Sequence, residues 1–98
     1  MEKPTSKLNF AIIEFAFEDS EVNNLLTARD KHPETFGIRI SCEFLGRNPK
    51  NLARSAYDVR FIYDVQIPSR QNHDDVSVII EVEEGLIPRF QILHISTF

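Results

Sequence analysis

Cysteine and glycine are scarce in this chain, which has one cysteine and three glycines among 98 residues. The lone Cys42 excludes an internal disulfide and a zinc site built from cysteines. Three glycines are too few for a glycine-rich loop that cradles a phosphate. A disulfide-stapled fold and a phosphate-binding loop are therefore not expected.

Positive charge and long apolar runs are also in short supply. Eleven basic residues against 15 acidic ones give a net charge of −4, so nucleic acid is not an expected partner. The loose basic cluster of Arg47, Lys50 and Arg54 is predicted to lie in a solvated loop. No stretch approaches the roughly 20 apolar residues that span a bilayer, and residues 1–7 lack the apolar run of a signal peptide. We expect a cytoplasmic protein with no membrane partner.

Side chains that carry out catalysis are not arranged in any known pattern. The three histidines, His32, His73 and His94, have no metal-ligand spacing, and no serine lies in a nucleophile-elbow sequence. The sequence therefore predicts no metal, no cofactor and no enzymatic activity.

Two stretches with strict alternation of apolar and polar residues, 36–45 and 57–67, predict β-strands. The apolar face of the first consists of Phe36, Ile38, Ile40, Cys42 and Phe44. That of the second consists of Tyr57, Val59, Phe61, Tyr63, Val65 and Ile67. Both faces are expected to lie in the core, with Cys42 as a small core residue.

Residues 8–17, LNFAIIEFAF, are predicted to form a first strand. Their alternation changes phase between Ile12 and Ile13, as a β-bulge would require. The alternative is that both faces of this strand are partly covered.

Residues 19–33 are either a short helix or a loop. Asp19 or Ser20 can cap a helix here, and Pro33 would stop it. Turn-rich composition predicts exposed linkers at 46–55 and 68–75.

Residues 76–83 predict a fourth strand, which Gly85 and Pro88 break. Residues 90–95 are a last short strand, or a continuation of the fourth past a kink. The expected fold is mainly β, or α+β at most. It is one domain over 1–98 with a twisted antiparallel sheet of four or five strands and a possible short helix at about 20–31. So small a sheet exposes its edges, which favours assembly with a partner or a second copy.

Acidic and apolar residues suggest two surfaces. Glu14 and Glu18 at the end of the first strand could gather on one solvent face with Glu81, Glu83 and Glu84 at the end of the fourth, and dock a basic partner. The alternative is that these acids keep the sheet soluble and its edges unpaired. Several apolar residues on otherwise polar faces could form an exposed surface for polypeptide clients: Ile13, Phe15, Phe17, Ile62 and Ile79. The alternative is that the 19–33 segment or a second subunit covers them.

The order of these segments resembles the SecB family of export chaperones and its shorter relatives. The resemblance is carried by an acidic-aromatic motif at 14–18 (EFAFE), the strand at 36–45, the segment 55–61 (SAYDVRF) and the segment 78–85 (VIIEVEEG). In that family a first strand and a linker precede three antiparallel strands, the last of which ends near a glycine. The helices that follow the sheet in that family have no counterpart after Phe98.

The resemblance implies a four-stranded sheet backed by helices, assembly as a dimer of dimers, and apolar grooves that hold unfolded polypeptides. It also implies an acidic sheet surface that docks the translocation motor, with Glu14, Glu18 and Glu81 as docking residues, Ile79 as their apolar neighbour and Phe17 as a groove or core aromatic. Our first interpretation is a non-enzymatic module that holds extended or non-native chains. The alternative is a small oligomeric regulator or inhibitor, of phage or mobile-element type, that binds one dedicated protein.

Overall fold

Two helices precede a four-stranded antiparallel sheet in the computed structural model, which describes residues 5–32, 35–67 and 70–98. The elements are α1 (Thr5–Glu18), α2 (Ser20–Asp30), β1 (Thr35–Asn48), β2 (Asn51–Ile67), β3 (Arg70–Glu83) and β4 (Arg89–Thr97). The strands are neighbours in the order β1-β2-β3-β4. The sheet is therefore a meander with β1 and β4 at its edges, and the predicted mainly β fold is confirmed.

The two alternating stretches lie in β1 and β2, as predicted, but both strands are longer than the alternation suggested. The predicted linker at 46–55 is wrong, because β1 continues to Asn48 and β2 begins at Asn51. Gly46 allows β1 to continue past residue 45. It lies at a shift in the strand register with a φ of 141°, a backbone conformation that residues with a Cβ atom disfavour.

The predicted linker at 68–75 is also mostly strand. β2 ends at Ile67 and β3 begins at Arg70, with only residues 68–69 outside the described chain. The strand predicted at 76–83 is the second half of β3, and the last strand is a separate element, β4. Residues 84–88 connect β3 to β4.

The predicted first strand at 8–17 is wrong, since these residues lie within α1. Leu8, Ile12 and Ala16 recur every four residues and share one helical face. Ile12 and Ala16 are fully buried, and Leu8 packs against the core to which they belong. The phase change at Ile12 therefore reflects helical periodicity rather than a bulge.

The helical alternative for residues 19–33 is confirmed by α2. Asp19 has extended backbone angles, and its carboxylate accepts a hydrogen bond from the Val22 backbone N–H at 3.0 Å, as an N-cap does. Val22 and Leu26, one turn apart, are buried. The helix ends at Asp30, and the predicted stop at Pro33 lies outside the described residues.

Both helices pack on the same face of the sheet, which we call the covered face. α1 crosses the sheet, since Asn9 lies 3.8 Å from the Cys42 sulfur on β1, and the ring of Phe15 lies 5.4 Å from that of Phe90 on β4. α2 packs near one end of the sheet, where the Tyr63 hydroxyl donates to a helix carbonyl at 3.4 Å. Burial raises the pKa of Tyr63 to about 12, so this donor keeps its proton at neutral pH.

The core lies between the helices and the covered face. Its buried sheet residues are Val59, Phe61, Tyr63, Val76, Val78, Ile80 and Val82. No described helix packs on the other side, which we call the open face. Within the described chain, neither helix has the length and apolar character needed to cross a membrane.

Candidate functional site

The two helices are too small to cover the whole sheet. α1 has 14 residues, and at about 1.5 Å per residue it is about 21 Å long, enough to cross four strands spaced about 4.8 Å apart. β1 also has 14 residues, but at about 3.3 Å per residue it runs for roughly 46 Å. Two helices about 10 Å wide therefore leave much of the length of the sheet uncovered.

The uncovered part includes three apolar side chains of β1, Ile38, Ile40 and Phe44, which we call the edge stripe. Their exposed fractions are 47%, 49% and 53%. The expectation that this whole face of β1 lies in the core is therefore wrong. Cys42, between Ile40 and Phe44, is half-buried because Asn9 of α1 lies against it.

β1 also has the longer uninterrupted run of the two sheet edges, although its pairing with β2 shifts at Thr35/Gly37, Phe44/Gly46 and Arg47/Asn48. From Gly37 to Phe44 its pairing with β2 continues without a shift in register. β4 instead has an irregularity opposite Ile79 and Ile80, in the middle of its length. Because bulges disrupt the row of backbone groups along an edge, β1 offers the better template for another extended chain.

The chemistry of β1 is that of an apolar surface rather than a reactive one. Burial, and to a lesser extent the negative charge of Asp58, raises the pKa of the Cys42 thiol to about 11. Cys42 is therefore protonated near neutral pH and is a poor nucleophile. It packs against the core as a small apolar residue, as its sequence neighbours predicted.

The predicted docking residues are not brought together. Glu14 and Glu18 are exposed on α1, above the covered face. Ile79 and Glu81 lie on the open face of β3, since alternation places them opposite Ile80. The expected single acidic face required 8–17 to be a strand, and the helix separates these residues onto two sides of the molecule.

The predicted client surface is divided in the same way. Ile13 and Phe15 are half-buried and pack against the core, whereas Phe17 is exposed on α1. Ile62 is half-buried on the open face, opposite Asp75 of β3. These four residues do not form one patch.

Ion pairs and hydrogen bonds satisfy many of the charged groups on the open face. Asp58 accepts hydrogen bonds from Ser77 at 2.6 Å and from Arg60 at 3.2 Å. In the predicted basic cluster, Arg54 pairs with Glu83 at 3.1 Å. These surface pairs are solvated, and they balance much of the charge that β2 and β3 carry on this face.

Another exposed apolar site lies in the connection between β3 and β4. Leu86 and Ile87 are 106% and 83% exposed there. The adjacent Glu84 is held by a hydrogen bond from its N–H to the Ala53 carbonyl at 2.8 Å. The sequence predicts only a strand break at this segment, and the apolar pair between Gly85 and Pro88 is the signal that indicates an exposed apolar site.

No group of three His, Cys, Asp or Glu side chains within the described ranges is arranged to hold a metal ion. The uninterrupted run of β1 from Gly37 to Phe44 and its edge stripe are the features that most favour a ligand. Comparisons of the chain with models of protein families, with functionally characterised proteins and with solved structures found no significant match to any of them.

Proposed function

We propose that this protein is a non-enzymatic polypeptide-binding module that takes up an extended chain by adding it as a strand beside β1. The observation that carries the proposal is the unbroken edge of β1 from Gly37 to Phe44 together with its half-exposed edge stripe. Strand addition needs an edge for backbone hydrogen bonds and side-chain contacts at every second residue.

The backbone of β1 supplies the sequence-independent part of this binding. Within the described chain, β1 pairs with β2 alone, so the hydrogen-bonding groups on its outer side have no strand neighbour. Each good backbone hydrogen bond contributes about 0.5–1.5 kcal/mol. An extended ligand can form several of these bonds whatever its side chains are.

The edge stripe supplies selectivity for apolar side chains. Ile38, Ile40 and Phe44 are spaced by even numbers of residues, so they lie on one face of the strand. A ligand with apolar residues at alternate positions would place them beside this stripe and remove both surfaces from water. Non-native chains expose such segments, and this is the client class we propose.

The test is peptide binding measured by fluorescence anisotropy, at low micromolar protein. The probe is a labelled ten-residue peptide with valine at alternate positions and lysine or glutamate between them. Ile40→Lys places a charge in the stripe and is expected to weaken binding at least tenfold, which corresponds to about 1.4 kcal/mol. Leu93→Lys on β4 is the matched control, because Leu93 is 50% exposed and Ile40 is 49% exposed.

We expect Leu93→Lys to change the affinity less than threefold. Equal losses for the two variants would contradict docking on β1, and no binding by the parent protein would remove the proposed function. Two peptides, N-methylated at the odd-numbered or at the even-numbered residues, test the backbone contacts. Methylation of the N–H groups that point toward β1 should abolish binding, and methylation of those that point away should preserve it.

Breadth of binding distinguishes this proposal from the dedicated regulator considered above. A chaperone should slow the aggregation of several unrelated unfolded proteins, and Ile40→Lys should abolish this effect. Activity toward a single protein would favour the regulator. The cytoplasmic location and the SecB resemblance stay predictions, and the motif at 14–18 that supported the resemblance lies on a helix rather than a strand.

A further inference from the structure

The charges on the open-face side of β1 form an incomplete pattern. Glu43 lies directly opposite Asp58 of β2, and like charges in facing positions destabilise a strand pair. No cation among the described residues forms an ion pair with Glu43, whereas Asp58 is satisfied by Ser77 and Arg60. Glu43 therefore destabilises the pairing of β1 with β2 locally, and no cation among the described residues offsets this repulsion.

Arg39 lies four residues earlier on the same face and has N–H donors that its partner Asp64 does not use. Its side chain is 62% exposed, and its guanidinium donates to Asp64 through Nε at 3.3 Å and Nη2 at 2.9 Å. An arginine has five N–H donors, so three of them are not used by Asp64. Arg39 and Glu43 lie symmetrically on either side of Ser41.

We propose that two copies of this chain pair antiparallel through β1, with Ser41 on the two-fold axis. In this register Arg39 of each copy faces Glu43 of the other. Each of the two Glu43 carboxylates therefore gains an opposing guanidinium. On the covered side, Ile38 faces Phe44 of the second copy and Ile40 faces Cys42. A two-fold interface requires this kind of self-complementarity.

The neighbouring registers do not have this property. Centring the axis on Ile40 or on Cys42 leaves Arg39 facing Ser41 or Leu45 and separates the opposite charges. The Ser41 register also lies within the regular segment from Gly37 to Phe44, so no bulge interrupts it. The product is one continuous eight-stranded sheet whose central strands are the two copies of β1.

Self-pairing covers the same edge and the same stripe that a polypeptide would use. This consequence rests on the proposed function: the dimer would be the closed form, and a client would bind by displacing the second copy. Client affinity should then fall as protein concentration rises. The protein would expose its apolar edge mainly when clients are present to cover it.

Charge reversal tests the register, with self-association measured by analytical ultracentrifugation. Glu43→Arg places two arginines opposite each other and should weaken dimerisation at least tenfold. Arg39→Glu should do the same, with its folding checked by circular dichroism because it also loses the Asp64 pair. An equimolar mixture of the two variants should form a heterodimer, since every facing pair is then of opposite charge.

A disulfide provides a second test that does not depend on charge. In a Cys42→Ser background, Ser41→Cys should form a linked dimer under mild oxidation, because facing Cα atoms lie about 4.5–5.5 Å apart. Leu45→Cys, on the same face, is the control. In the proposed register two copies of residue 45 are separated by roughly 26 Å along the strands, too far for a bond.

Two outcomes would overturn the self-pairing proposal: a parent protein that remains monomeric at several hundred micromolar, or linkage through residue 45 with none through residue 41. The peptide assay with the parent protein, in a dilution series through the concentration at which it dimerises, separates this failure from failure of the proposed function. If peptide affinity falls as the protein concentration rises through this range, both proposals are supported. A parent protein that stays monomeric and binds peptide equally at all concentrations would contradict self-pairing and leave the proposed function supported. A dimer that binds no peptide would contradict the proposed function and leave the pairing supported.

Discussion

Replacement of Phe61 by alanine is expected to lower the free energy of unfolding by about 3–5 kcal/mol. Phe61 is fully buried on the covered face of β2, between Ile40 of β1 and Val76 of β3. Its removal leaves a cavity beneath the helices that the neighbouring strands cannot close. Urea denaturation followed by circular dichroism measures the change.

The adjacent Ile62 is the control for this prediction. It lies on the open face and is half-buried, so Ile62→Ala should cost about 1 kcal/mol. A loss below about 1 kcal/mol for Phe61→Ala, or equal losses for the two variants, would show that the faces of the sheet are assigned wrongly.

Replacement of Ile12 by alanine is expected to cost about 2–5 kcal/mol, whereas Phe10→Ala should cost less than about 0.5 kcal/mol. Ile12 is fully buried beneath α1, and Phe10 is 75% exposed. Two helical residues two positions apart point in nearly opposite directions. Chemical denaturation of the two single variants measures both changes.

This pair of variants distinguishes a helix from a strand over residues 8–17. A strand would place Phe10 and Ile12 on the same face and make both substitutions costly, or both harmless. The helix requires a large difference between them. Similar losses at the two positions would contradict α1 and its packing on the sheet.

The strands could be predicted from the sequence because β1 and β2 combine strict alternation with large apolar residues, as Val59 and Phe61 illustrate. The segment at 8–17 misled the prediction because phenylalanines and isoleucines satisfy both periods in a short window. The repeat of Leu8, Ile12 and Ala16 was present, but alanine carries little hydrophobic signal. A change of alternation phase is thus better evidence for a helix than for a bulge when a four-residue repeat accompanies it.

The candidate site could not be predicted from alternation because periodicity defines the faces of a strand but not what covers them. Ile38 and Phe61 have equivalent positions in their patterns, yet one is half-exposed and the other is fully buried. The difference arises from the short helices and the edge position of β1, both of which depend on the tertiary structure. The prediction of a single acidic surface was wrong for a related reason, since Glu14 and Glu81 lie on different sides of the sheet.

The most direct test of the central claim is residue-resolved amide hydrogen exchange by NMR, with and without the alternating peptide. It should be made at a protein concentration low enough to disfavour self-pairing. We predict new protection at alternate residues of β1 between Gly37 and Phe44, where outward N–H groups gain partners, and no change along β4. Protection confined to β4, or binding without any change in β1, would contradict strand addition at this edge.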